Sequence, residues 1–172
     1  MTGISWDKRT VAIATVTMLL LAAGAGLWFW SLPSETAPLG ADPANARLVT
    51  LGETVYRSQC ASCHGAKLEG QPDWRVRKPD GKLPAPPHDE TGHTWHHADG
   101  QLFRLTKRGI KPPLAPEGYR SDMPAFDGVL TDRQIWAVLA YIKSTWPDPI
   151  RSRQERISEA FQRQQNSKGE KK

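Results

Sequence analysis

Cysteine is scarce in this chain: its 172 residues hold two, Cys60 and Cys63. A small secreted scaffold stapled by several disulfides is therefore excluded. No second C-x-x-C follows the first, so the paired-knuckle form of structural zinc site is missing its other half. No run of alternating or β-branched residues precedes Cys60, which removes the strand–turn–helix setting of a thioredoxin-like dithiol. Methionine is almost as rare, with three residues at positions 1, 18 and 123. The net charge is +5, yet no basic helix with interleaved aromatics is present, and nucleic acid is not an expected partner.

What is present is the pentapeptide C-A-S-C-H at residues 60–64. Covalent haem attachment accounts for every constrained position in it. Cys60 and Cys63 add to the two vinyl groups, and His64 faces the iron as proximal ligand. A redox dithiol is the alternative use of the same spacing. His64 requires a partner for its Nδ1–H, and one carbonyl among Pro84, Ala85 and Pro86 is expected to accept it.

The opposite side of such an iron needs a sixth ligand if the haem is to stay low-spin. Met1 is the initiator and Met18 lies in an apolar run, which leaves Met123 in "YRSDMPAFDG" as the methionine able to reach it. Pro124 biases that segment toward an extended or turn conformation. The alternatives are a Met123 that only fills a core gap, or a bis-histidine iron completed by His88, His93, His96 or His97.

"CASCHG", followed by "SDMPAF" and then a C-terminal helix "LTDRQIWAVLAYIKSTW", resembles the class I c-type cytochromes over roughly residues 47–146. The resemblance implies an all-α cytochrome c fold wrapped around one covalent haem c, with His64 and Met123 as axial ligands. It also implies that Gly52, Tyr56 and Tyr141 stand where the first and last helices cross. The middle stretch, "DWRVRKPDGKLPAPPHDETGHTWHH", is longer and richer in proline and histidine than in the smallest members. The whole chain is most similar to membrane-anchored bacterial single-haem cytochromes.

Residues 11–30 carry no charge and, at ~1.5 Å per helical residue, are long enough to span a ~30 Å hydrocarbon layer. Lys8 and Arg9 keep residues 1–10 on the cytoplasmic side, and Trp28 and Trp30 mark the far interface. A cleaved signal peptide is the rival, through Ala23-Gly24-Ala25, although the apolar run continues past that point. Residues 31–46, with Pro33, Pro38 and Pro43, read as a semi-rigid tether. Residues 47–146 then form the cytochrome c domain, and residues 147–172 a basic polar tail. The domain and the tail each carry a net charge of +3.

Within the domain, Leu48, Leu51 and Val55 place one apolar stripe on a helix over 46–59. Thr131 and Gln134 form a capping box for the last helix, whose buried face is Ile135, Val138, Leu139 and Ile142. A middle helix starts at Asp99 and stops at Gly109, with Leu102 and Leu105 as candidate haem contacts. Residues 73–87 should be loop. Trp95 is a further candidate haem contact, and the histidines from 88 to 97 either tie that loop down or hold a second metal. Ile150, Ile157 and Phe161 suggest a short helix, packed loosely on the domain and fading into disorder from about Asn166.

Together these readings describe an electron carrier on the outer, periplasmic face of the cytoplasmic membrane. Its expected partners are redox proteins: a quinol-oxidising complex as donor, and a terminal oxidase or periplasmic reductase as acceptor. Nothing in the chain supplies an acid/base pair over an open iron, so an electron-transfer protein is expected rather than an enzyme. The competing class is a haem enzyme subunit or ligand or metal sensor, built on an open iron or on the His88–His97 cluster.

Overall fold

The computed structural model describes Met18 and residues 40–169. Two compact units divide the chain, Met1–Thr36 and Ala37–Lys172. The anchor expected over residues 11–30 lies, apart from Met18, outside the described residues, as does the tether up to residue 39. Among the described residues no helix is long and apolar enough to cross a membrane.

The second unit is all-helical, with no strand among the described residues. Its elements are α1 (Ala46–Gln59), α2 (Ala61–His64), a 3-10 turn (Thr94–His96), α3 (Asp99–Arg108), α4 (Asp132–Ser144) and α5 (Asp148–Gly169). Helix α1 begins where the Asn45 side chain accepts the Leu48 amide at 3.1 Å. Helix α4 begins at the expected box: Thr131 Oγ1 accepts the Gln134 amide, and the Gln134 side chain accepts the Thr131 amide.

These two helices cross and form the core. Leu48, Val55 and Tyr56 from α1 are buried against Ile135, Val138, Leu139 and Ile142 from α4. Each such aliphatic side chain contributes roughly 1.5–3 kcal/mol by leaving water. The crossing point is Gly52, where a Cβ would stand 1.9 Å from the Ala137 carbonyl oxygen and 2.8 Å from the Tyr141 Cβ. No other residue type allows the backbones so close, which is why the helix accepts a glycine costing ~1 kcal/mol in propensity. The Tyr56 and Tyr141 rings meet beside it at 5.4 Å. Helix α3 joins α4 through a stacked Phe103–Trp136 pair at 4.3 Å.

The C-terminal segment departs from the loose short helix expected of it. Helix α5 runs 22 residues, continues past Asn166 to Gly169, and docks through polar groups. Gln154 is fully buried; its Nε2 donates to Asp99 Oδ1 at 2.6 Å and to the His97 carbonyl at 3.1 Å. Ser158 Oγ accepts the Asp99 amide at 2.9 Å. Asp99 also takes the Lys143 ammonium at 2.7 Å, with the Lys143 side chain 4% exposed. The apolar stripe of Ile150, Ile157 and Phe161 is legible in the sequence, with Ile150 packed on the core, and polar residues share its inward face.

Candidate functional site

Cys60 terminates α1, and α2 follows at once, so Cys60, Cys63 and His64 are delivered on one turn of chain. The Tyr56 hydroxyl, fully buried one turn upstream, donates to the Gly65 carbonyl at 2.9 Å and holds that turn against α1. Both thiols are free. Burial first, and then the neighbouring Cys63, pushes the Cys60 thiol up to about 11. A redox dithiol depends on a thiol shifted the other way, toward the reactive thiolate, so Cys60 is held away from that use.

His64 is buried, and its Nδ1 lies 2.9 Å from the Pro86 carbonyl oxygen. The carbonyl expected among residues 84–86 is therefore that of Pro86. A bracket of backbone bonds brings it there: the Gln71 amide donates to the Ala85 carbonyl at 2.9 Å and the His88 amide to the Leu68 carbonyl at 2.7 Å. Gly70 makes the approach possible, having a φ of +71° and room for no Cβ, which would sit 2.4 Å from the Pro87 nitrogen. Burial lowers the His64 pKa, opposed by the bond to Pro86, so the imidazole is neutral at pH 7. With Nδ1–H committed, Nε2 is left as the lone-pair nitrogen a metal requires.

Met123 comes from a separate segment. Its amide donates to Ser121 Oγ at 3.1 Å, and its side chain packs against the core. Downstream, the Phe126 and Asp127 amides donate to the Thr106 and Lys107 carbonyls at 3.1 and 2.9 Å, hanging the segment on the end of α3. Upstream, the Asp122 carboxylate takes the ammonium groups of Lys82 and Lys78, which hold it below its usual pKa. Leu102 is buried in the core, while Leu105 is partly exposed.

Of the four remaining histidines, His93 and His97 meet edge to face with ring centroids 5.5 Å apart, and the others make separate aromatic contacts. His88 stacks on His64 itself, with ring centroids 4.0 Å apart, and its Nδ1 meets Thr94 Oγ1 at 2.7 Å. Its carbonyl accepts the Trp146 indole N–H at 2.7 Å, so the end of α4 braces the loop behind His64. His93 stacks on Trp74, and His96 on Trp95. Trp95 donates its indole N–H to the Glu90 carbonyl at 3.3 Å and lies under the Arg153 guanidinium. It fastens the loop, and its one donor is taken. Among the described residues no group of three or more His, Cys, Asp and Glu side chains could hold a metal ion. The brace from Trp146 to His88 had no signal in the sequence, since both partners read as ordinary aromatic and loop residues.

Two free thiols three residues apart, next to a neutral histidine whose Nδ1 is anchored, are the donor set that covalent haem requires. The cytochrome c family model matches residues 49–146, more than half of the chain. The chain belongs to the cytochrome c family. No curated protein and no solved structure matches the chain. As in other members of the cytochrome c family, the cofactor is covalent haem c, and Cys60–Cys63 with His64 is its attachment motif. The protein is a haem-based electron carrier.

Proposed function

We propose that this cytochrome c carries electrons along the outer, periplasmic face of the cytoplasmic membrane, with a single haem held between His64 and Met123. Haem c supplies one-electron exchange between ferrous and ferric iron. His64 offers Nε2 to the metal while the Pro86 carbonyl fixes the ring's tautomer and rotation. Tyr56 and the α1–α4 core exclude water from the side on which His64 lies.

The observation that carries the reading is the stacking of His88 on His64 at 4.0 Å. A ring stacked nearly parallel on His64 would share the side of a haem that His64 holds and would not reach the opposite side. With His93 and His96 stacked on tryptophans and the His97 ring set against His93, Met123 is the soft donor of the domain left to fill that position. A thioether there raises the potential and keeps small ligands out, as electron transfer requires. Redox proteins are the partners: a quinol-oxidising complex on the donor side, a terminal oxidase or periplasmic reductase on the other. Residues 11–30 would hold the carrier at the membrane.

Spectra of the unmutated protein and of Met123→Ala test this. The unmutated ferric form should show a weak sulfur-to-iron band in the far red and refuse carbon monoxide when reduced. Met123→Ala should lose the band, drop in potential and take up the gas. An unmutated protein that binds carbon monoxide readily would transfer the assignment to the enzyme or sensor class.

A further inference from the structure

The long middle stretch contains a hairpin, residues 77–82, that reaches the methionine segment. It is internally closed: the Gly81 amide donates to the Lys78 carbonyl at 2.8 Å, the Lys78 amide to the Lys82 carbonyl at 2.9 Å, and the Arg77 guanidinium to the Gly81 carbonyl at 2.7 Å. Two lysines of this unit grip one carboxylate. Lys78 Nζ lies 3.0 Å from Asp122 Oδ2, and Lys82 Nζ takes the other oxygen. Arg77 adds a contact over the Tyr119 ring at 5.7 Å. Otherwise a cleft of about 370 Å³, lined by Arg77, Asp80, Tyr119 and Arg120 among others, opens beside them. Ion pairs from Lys78 and Lys82 to Asp122, with the Arg77–Tyr119 contact, therefore join the hairpin to the segment.

Asp122 immediately precedes Met123, and Pro124 has no amide to donate. Downstream the segment is tied from Phe126 onward to the end of α3. From residue 117 to 125, among the described residues, the hydrogen-bonded tie to another part of the chain is Asp122. We propose that the hairpin is a strap: Lys78 and Lys82, acting through Asp122, position Met123 and hold it in place against displacement. The inference rests on Met123 being the sixth ligand. Asp122, Lys78 and Lys82 are positioning residues that touch neither ligand nor iron.

Exposed ion pairs each shift an equilibrium by a factor of roughly two to five and are weakened by salt. The test is imidazole binding to the ferric full-length protein in detergent, at low ionic strength and at about 0.5 M salt. Lys78→Gln combined with Lys82→Gln should bind imidazole about fivefold more tightly than the unmutated protein at low salt. The difference should close at high salt, and the far-red band should weaken while the denaturation midpoint stays unchanged. Asp122→Asn should reproduce the effect, adding Asp122→Asn to the lysine pair should do nothing more, and Lys78→Arg with Lys82→Arg should behave as unmutated. Unchanged imidazole affinity in the double variant, with Met123→Ala opening the iron, overturns the strap and leaves the ligand assignment standing. An increase equal at both salt levels also overturns it, because a loosened fold has no such salt signature. Unchanged spectrum and affinity in Met123→Ala would instead remove the ligand assignment, and the strap with it.

Discussion

Cys60, Cys63 and His64 divide one attachment among three side chains, and each is exposed to different chemistry. Cys60 is half-buried at the end of α1, whereas Cys63 is exposed. Either thioether alone still leaves a covalent link, so the two single variants should not be equal to the double. On denaturing gels stained for haem peroxidase activity, Cys60→Ala and Cys63→Ala should each keep less stain, and the double variant none. Complete loss of haem from the unmutated chain on acid–acetone extraction would contradict covalent attachment. At this scale the motif residues were readable because covalent chemistry imposes both residue type and spacing. The choice of Pro86 over Pro84 or Ala85 was not readable, since it depends on the pairing of residues 68–71 with 85–88.

Among the helices, the α1–α4 crossing is the most demanding contact. Gly52→Ala puts a methyl group into the Ala137 carbonyl, and backbone cannot step aside as a flexible side chain would. The substitution should cost about 3 kcal/mol or more despite the better helix propensity of alanine, read as a lower denaturant midpoint. Helix α5 supplies the other element-scale case. Lys143 is 3% exposed and its charge is matched by Asp99, which Gln154 also holds. Lys143→Met should lower stability by roughly 3 kcal/mol, because it leaves the part-buried Asp99 carboxylate without its cation. Adding Asp99→Asn to Lys143→Met should recover part of that loss. The signal for this network was present but weak: Lys143 falls four residues after Leu139 and eight after Ile135, on the apolar face of α4.

At the level of the whole molecule, an uncharged run over residues 11–30 and a proline-containing stretch over 31–46 precede a basic domain. In the function proposed, a basic surface would speed encounter with an acidic redox partner, and a membrane anchor would confine the search to two dimensions. Carbonate washing should leave the full chain in the membrane pellet. A form beginning near Ser31, exported behind a cleavable signal, should be soluble and still red. A mature N-terminus near Gly26 would show instead that the apolar run is a removed signal.

The sequence by itself determined the attachment motif, the three main helices of the domain and the candidacy of Met123. Those follow from local rules: covalent spacing, helical periodicity, capping, and the rarity of methionine. Tertiary structure decided the rest. It stacked the His88 ring on His64 and set the histidines from 93 to 97 in aromatic contacts with tryptophan or with each other. It also made a polar tail into a docked helix and bound the hairpin to Asp122 across some forty residues of chain. Such contacts depend on where distant segments meet, and the energy of an ion pair or a stacked ring carries no periodicity along the chain by which to find it.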